Sequence, residues 1–343
     1  MAYAIKKGSD YFKAVRYTGT NASQDINVGF SPDFTWLKNR SHNGGDPYYG
    51  VHLLYDTIRG AGNRIISADT ATEAYSGGAL TSFNSDGFSV GTDNSVSYSG
   101  DSFISWNWKA GESTVENTDG TITSQVSANP TSGFSVVKWT GTGSAGTIGH
   151  GLSATPQFII VKNLTYGVNW RAYHVASGGT KYYSFNLTNA EGISSLPWNN
   201  TAPTSSVFSV GTEDNTNRSS DEFIAYVWAP VAGYSKFGYY EGNSSADGPF
   251  VYTGFRPQFF MMKPVDTVGG WIFLDTARDG ESNTIDLRLL PNSNDIEYAS
   301  ASGYVDFYSN GFKLRYNGAY NNSAYDYLYM AIGSTPFKYA NAL

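Results

Sequence analysis

The strongest constraint on this chain is that it repeats itself three times. Four landmarks recur in the same order at near-constant spacing. The first is an aromatic-x-Gly step: Tyr17-Thr18-Gly19, Trp139-Thr140-Gly141 and Tyr240-Glu241-Gly242. The second begins 12 to 14 residues after that aromatic, at Gly29-Phe30, Gly151-Leu152 and Gly254-Phe255. It continues as Pro32…Phe34…Lys38, Pro156…Phe158…Lys162 and Pro257…Phe259…Lys263, with identical internal spacing. The third is Asp86-Gly87-Phe88-Ser89-Val90-Gly91, matched by Ser206-Val207-Phe208-Ser209-Val210-Gly211 and Asn310-Gly311-Phe312-Lys313-Leu314-Arg315. The fourth starts fifteen residues after that Phe, at Phe103-Ile104, Phe223-Ile224 and Tyr327-Leu328. A repeat near 100 residues long is a domain-sized module, longer than a solenoid unit. The modules are expected at 1–112, 113–233 (with a leading hairpin) and 234–343 (rich in Tyr).

Two landmarks read as strands. In the second, both alternating faces are apolar: Phe34 and Trp36 oppose Thr35 and Leu37, and Phe158 and Ile160 oppose Ile159 and Val161. Such a strand needs cover on both sides and is expected at the centre of a sheet. Pro is tolerated at its start, where no ladder hydrogen bond is lost. In the fourth, Ile104, Trp106 and Trp108 align with Ile224, Tyr226, Trp228 and with Leu328, Met330, Ile332. This constant face is expected to be the core, and the variable face (Phe103, Ser105, Asn107 and their counterparts) partly open. Turn dipeptides fall regularly at Asn43-Gly44-Gly45, Ser85-Asp86-Gly87, Asp119-Gly120, Ser177-Gly178-Gly179, Asp279-Gly280 and Asn317-Gly318. Asp119-Gly120 predicts a hairpin between copies one and two. No helix longer than two turns is expected. The fold class read from these signals is all-β, as three tandem antiparallel β-sandwich modules of jelly-roll or concanavalin-like kind.

Composition narrows the function classes. A net charge of −7 with no Lys/Arg cluster argues against nucleic acid as a partner. No run of about 18 apolar residues predicts a membrane span, and Met1-Ala2-Tyr3-Ala4-Ile5-Lys6-Lys7 lacks the apolar core of a signal peptide. With zero Cys, disulfides, thiolate zinc sites and Cys nucleophiles are excluded together.

Chemical motifs are sparse. Gly141-Thr142-Gly143-Ser144-Ala145-Gly146 matches a dinucleotide fingerprint, but Thr147-Ile148-Gly149-His150 cannot open the helix that the pyrophosphate needs, so a turn is expected. Gly100-Asp101-Ser102 resembles an esterase nucleophile motif, yet its Ser does not recur in the other copies. No nucleophile elbow or His-pair zinc motif is present, and His42, His52, His150 and His174 are expected in loops or at the surface. Asp56-Thr57-Ile58-Arg59 and Asp275-Thr276-Ala277-Arg278 share Asp-Thr-x-Arg, where copy two has His174-Val175-Ala176-Ser177. A local ion pair or turn brace is expected there. Lys38, Lys162 and Lys263 are expected to snorkel at sheet edges, and no acidic residue recurs at a suggestive position. No cofactor, metal ligand or catalytic residue is assigned. The candidate ligand- or partner-binding residues are Tyr316, Tyr320, Asn321 and Tyr325. Tyr rings offer a flat apolar face and a directional hydroxyl, and Asn adds hydrogen bonds, as on surfaces that bind sugars or proteins.

The landmarks together resemble modules that recur in virion proteins of marine bacteriophages. The phrases that carry the resemblance include Gly29-Phe30-Ser31-Pro32-Asp33-Phe34-Thr35-Trp36-Leu37-Lys38 and Thr81-Ser82-Phe83-Asn84-Ser85-Asp86-Gly87-Phe88. Others are Gly233-Tyr234-Ser235-Lys236-Phe237-Gly238, Asp247-Gly248-Pro249-Phe250-Val251-Tyr252-Thr253-Gly254, and the ending Pro336-Phe337-Lys338-Tyr339-Ala340-Asn341. The resemblance implies a non-enzymatic particle component: a fibre, a capsid decoration or a tail appendage. It would be made in the host cytoplasm, oligomeric, and in contact with other virion proteins and a host surface glycan. A carbohydrate-binding lectin-like module is the alternative, and a polysaccharide depolymerase the third reading.

Overall fold

The chain is all-β: about 43% is strand and about 5% helix, in several antiparallel sheets. The computed structural model describes residues 5–42, 49–280 and 283–336, so the Asn43-Gly44-Gly45 turn lies outside the described residues. The helices among the described residues are single turns at Gly8–Asp10, Asn94–Ser97, Asp214–Asn217 and Thr276–Asp279.

Copy one supplies β1 (Phe12–Thr18), β2 (Gln24–Asn27), β3 (Phe34–Asn39), β4 (His52–Asp56), β5 (Asn63–Ile66), β6 (Ala74–Tyr75), β7 (Leu80–Asn84), β8 (Gly87–Val90) and β9 (Ser102–Trp108). Copy two supplies β10 (Val115–Asn117), β11 (Ser124–Asn129), β12 (Phe134–Thr140), β13 (Gly146–Gly149), β14 (Phe158–Asn163), β15 (Arg171–His174), β16 (Lys181–Ser184), β17 (Gly192–Ile193), β18 (Val207–Val210) and β19 (Glu222–Trp228). Copy three supplies β20 (Ser235–Glu241), β21 (Phe250–Tyr252), β22 (Phe255–Pro264), β23 (Ile272–Asp275), β24 (Leu287–Arg288), β25 (Tyr298–Ala299), β26 (Val305–Tyr308), β27 (Gly311–Leu314) and β28 (Asp326–Pro336).

The same four-strand order appears in each large sheet: β1-β9-β3-β4, β12-β19-β14-β15 and β20-β28-β22-β23. Among the described residues, no sheet takes strands from two copies. The hairpin expected at Asp119-Gly120 forms as β10 and β11, which extend the copy-two sheet beyond β12. The second- and fourth-landmark strands pair with each other in one register three times. Trp36 faces Trp106, Ile160 faces Tyr226 and Met261 faces Met330. A one-residue slip would turn every side chain to the wrong face, which is why the landmark spacing is so constant. Pro257 lies where the β22–β28 register shifts, an irregularity that accommodates its missing N–H.

Each large sheet packs one face against a small sheet of its own copy: β2-β8-β7, β13-β18 or β21-β27-β26. The third-landmark rings Phe88, Phe208 and Phe312 sit in these local cores. They lie beside Leu37 and Tyr55, Ile159 and Val227, and Phe260 and Tyr329 respectively.

The other face of every large sheet, the constant face expected to be core, enters one shared core; the expectation that the variable face stays partly open is the one the structure corrects. Ile104, Trp106 and Trp108 join Tyr226, Trp228, Phe259, Met261, Phe273 and Met330 in a single cluster drawn from all three copies. The supposedly open face (Phe103, Ser105, Asn107) is also buried, against the small sheet of its own copy. No pattern within one copy reveals this, because the cover for the second face is supplied by the other two copies. Rings meet across the boundaries: Phe34 stacks on Tyr226 with centroids 4.0 Å apart, and Trp36 meets Phe273 at 5.0 Å. Trp108 meets Trp228 at 6.0 Å and Phe259 at 5.9 Å. A void in this core, lined by residues of all three copies, measures about 10 Å³.

Candidate functional site

The three junctions between copies are assembled from equivalent residues. Asp56, His174 and Asp275 end equivalent strands, and each reaches the fourth-landmark strand of the next copy. Tyr226 donates its hydroxyl to Asp56 Oδ2 at 2.8 Å, and Trp106 Nε1 donates to Asp275 Oδ2 at 3.0 Å. At the position of Tyr226 and Trp106, copy three has Met330, which has no hydrogen to donate. Facing it, copy two has His174 instead of Asp; its Nδ1 accepts from Ala176 N–H, so Nε2 is the donor to the Tyr329 carbonyl at 3.1 Å. The missing Asp-Thr-x-Arg of copy two is therefore matched to a partner that could not have used it.

The expected local brace is present as well. Arg59 Nε bonds Asp56 Oδ2 at 2.6 Å, and Arg278 Nε bonds Asp275 Oδ2 at 2.6 Å. Both arginines also bond a backbone carbonyl, Leu54 and Phe273 respectively.

One sequence expectation is overturned at these junctions, and one recurrence that the sequence did not reveal appears. Lys38, Lys162 and Lys263 lie on the central strands β3, β14 and β22, away from any sheet edge, and are buried. Each ammonium turns to a carbonyl of the preceding copy: Asn294 at 3.4 Å, Thr70 at 2.9 Å and Thr188 at 3.5 Å. Acidic residues do recur. The N–H groups of Glu73, Glu191 and Glu297 bond the carbonyls of Leu164, Val265 and Arg40, each two residues past a landmark Lys. The Glu73 and Glu297 carboxylates meet Arg59 at 3.2 Å and Arg278 at 3.0 Å. In copy two, Glu191 meets Lys181, Ser177 Oγ and the Tyr183 hydroxyl instead. The Arg59–Glu73 and Ser177–Glu191 spacings are equal in the sequence; the longer Arg278–Glu297 interval hid the repeat.

Three of the four histidines (His52, His150, His174) are buried, contrary to the surface placement expected for them. Burial pushes the His174 imidazole down to about 4, and also lowers His52 and His150. The unfolded chain takes up these protons below about pH 6.5 and the folded chain does not, so stability falls as pH drops. His174 alone contributes about 3 kcal/mol of that loss by pH 4. Burial also lowers Lys38 to about 7 and Lys162 and Lys263 to about 8. The cost of burying their charge is fully present below those values and is relieved as pH rises toward the ordinary Lys range. Through these groups the melting temperature should climb from pH 4.5 through 6.5 to 9, opposed between about pH 4 and 7 by Asp279, whose carboxyl is raised to about 7 by burial. The His174→Gln variant should flatten the acid arm; an unchanged slope in that variant would contradict the assignment.

Two other motifs make local structural contacts. Gly141–Gly146 is a turn leading into β13, and Asp101 accepts from Asn39 Nδ2 at 2.7 Å, as Asp221 does from Asn163. Among the described residues, no group of three or more His, Asp or Glu side chains is placed to hold a metal ion. No helix there is long and apolar enough to cross a membrane.

Two surface clefts concentrate chemistry. One, of about 300 Å³, lies at the junction of copies two and three, where Ser177 stands in place of an Arg. It is lined by Lys181, Glu191, Tyr239, Glu241, Asp266 and Asp326. Partial burial and the neighbouring Asp266, Glu241 and Glu191 charges raise Asp326 above the ordinary carboxylate range.

The second, of about 210 Å³, lies on copy three and is lined by Arg288, Leu290, Asp295, Ile296 and Tyr298. Arg288 and Tyr298 are cross-strand neighbours on β24 and β25, and the guanidinium lies 4.7 Å over the Tyr298 ring and 5.7 Å over that of Tyr304. The intervening loop is pinned at both ends, by Leu289 to Phe273 and by Glu297 to Arg40 and Arg278.

None of the four sequence-predicted residues lines this second cleft. Tyr316 is half-buried and packs on Tyr304 and Tyr320, with ring centroids 5.0 and 6.5 Å away. Tyr320 is buried in the local core, and Tyr325 packs half-buried against it. Asn321 is fully buried and spends both N–H donors on Asn243 Oδ1 and the Ser245 carbonyl. Asn217 and Ser97 brace the equivalent loops of copies two and one, so Asn321 belongs to the scaffold. The Tyr enrichment of copy three includes Tyr298, which lines the cleft, but Tyr298 and Arg288 were not among the residues singled out from the sequence.

A family described as a domain of unknown function (DUF7483) matches residues 7–336, which takes in all three copies as one unit. No curated protein is significantly similar to the chain.

Proposed function

The chain belongs to the DUF7483 family, and we propose that it is a non-enzymatic structural protein of a bacteriophage particle: a fibre, decoration or tail appendage that joins other virion proteins and engages the host surface. The observation that carries this reading is the closed arrangement of the copies. Their recurring polar residues are consumed in holding the sheets of three copies around one core, an arrangement that supports reading each copy as a β-sandwich of jelly-roll or concanavalin-like kind. A rigid unit of that sort presents loops at fixed relative positions, which suits a building block that must survive outside a cell without disulfides. The resemblance of its landmarks to virion modules points the same way. Mass spectrometry of purified phage particles should find the chain at stoichiometric level, as a homo-oligomer; its absence from them would sink the proposal.

A lectin-like role is compatible with this one and is supported by the exposed aromatic side chains of copy three, among them Tyr239, Tyr252 and Tyr298. The depolymerase reading draws on the carboxylate-lined cleft beside Tyr239, because glycoside hydrolysis uses a pair of carboxyl groups, and partial burial and the neighbouring acids raise the Asp326 pKa from its ordinary value. Glu191 in that cleft is already tied to Lys181, Ser177 and Tyr183, which disfavours a catalytic role for it. Reducing ends released from host polysaccharide by the intact chain, and not by Asp326→Asn, would replace the structural reading with this one.

A further inference from the structure

We infer that the cleft beside Arg288 binds a hexuronate residue of an acidic polysaccharide. The reasoning starts from a difference among the copies. Arg64 and Arg288 occupy the same ladder position, one residue before the partner of Leu54 or Phe273. In copy one, Arg64 meets Asp93 at 3.2 Å, and in copy two the neighbouring Arg171 meets Glu213 at 2.5 Å. Both acids follow the third-landmark Phe by five residues; the same step from Phe312 reaches Asn317. Copy three thus keeps the arginine and has Asn317 where the answering carboxylate stands in the other copies; among the described residues, Asp295 in the same cleft makes no ion pair with Arg288. Among the described residues, the contacts of the Arg288 guanidinium are the ring faces of Tyr298 and Tyr304. Ring stacking holds the planar fork in place and leaves its N–H edge open, the geometry that takes a carboxylate in two parallel hydrogen bonds.

The rest of the cleft fits a sugar that carries that carboxylate. Tyr298 is 56% exposed and offers a flat face for a pyranose ring. Asp295 is exposed and supplies an acceptor for sugar hydroxyls, and Leu290 and Ile296 line the apolar side. At about 210 Å³ the cleft suits one ring better than a drug-sized ligand, whose pockets start at about 300 Å³. The pinned loop keeps these groups in position before binding, which reduces the ordering cost. The net charge of −7 opposes an acidic ligand only at long range, because salt screens it beyond about 8 Å. The inference rests on the attachment reading for its biological setting alone; the chemistry of the cleft stands apart from it.

The test is calorimetric titration of the intact chain with short oligomers of galacturonate, glucuronate and mannuronate, each beside its methyl ester. At least one acid form should bind, and its ester, which keeps every hydroxyl and loses the charge, should bind tenfold or more weakly. Arg288→Gln and Tyr298→Ala, both partly exposed positions, should lose binding by a similar factor with an unchanged melting temperature, and Arg288→Lys should retain part of it. Failure of all three acids to bind, esters that bind as well as the acids, or full binding by Arg288→Gln would each overturn the inference. None of these outcomes depends on whether the chain is found on particles, so the two proposals fail separately.

Discussion

Asp56→Ala is expected to destabilise the folded chain by about 3–5 kcal/mol, the range for removing one partner of a buried ion pair. The carboxylate accepts from the Arg59 side chain and backbone N–H and from the hydroxyl of Tyr226 in the next copy. Without it, the almost fully buried Arg59 guanidinium keeps only the more exposed Glu73 as a counter-charge. The Tyr226 hydroxyl also loses its acceptor. The loss comes from the stranded charge, so the double variant Asp56→Ala/Arg59→Met should be more stable than Asp56→Ala alone. Tyr226→Phe should cost about 1.5–3 kcal/mol, the range for hydrogen bonds to charged groups, because its hydroxyl donates to Asp56 and accepts from Arg59. Urea unfolding of the four proteins decides the matter. If the double variant proves no more stable than the single one, the clasp is not an ion-pair device.

The second large effect concerns the copies taken singly. Residues 234–343 produced alone should fail to form a cooperatively folded monomer, because one face of the β20-β28-β22-β23 sheet would be stripped of its cover. Phe259, Met261, Phe273 and Met330 lie on that face, in the cluster shared with copies one and two. Exposed apolar area of this kind binds hydrophobic dyes and drives association. The isolated segment is expected to bind ANS, lose its near-ultraviolet dichroism and aggregate, and adding residues 1–233 should suppress the dye signal. A sharp, dye-free unfolding transition of 234–343 as a monomer would show that the local core beside Phe312 is sufficient on its own. The match of one family to residues 7–336 is what a unit that folds only as a trio would produce.

Much of the scaffold was legible because strands advertise their faces. The alternation in Phe158-Ile159-Ile160-Val161 and the fixed Phe-to-Lys spacing identified β3, β14 and β22 as central strands before any coordinates. The candidate site was legible only as a neighbourhood. Tyr enrichment directs attention to copy three, but burial divides those rings into core, as at Tyr320, and surface, as at Tyr298. Arg288 could have been found by asking what faces Arg64 in copy one and noticing that Asn317 replaces the acid. That question requires knowing that Arg64 and Asp93 touch across 29 residues of chain.

By itself, then, the amino-acid order determined the three copies and their central strands, because period-two patterning is a local property that each copy carries in full. Only the tertiary structure decided that the broad apolar face of every large sheet is covered by the other two copies. It also decided that Asp56, His174 and Asp275 clasp successive neighbours, and that Arg288 meets ring faces where its counterparts meet carboxylates. These are relations between residues more than 100 positions apart or on different strands, and they exist only once the chain has closed on itself.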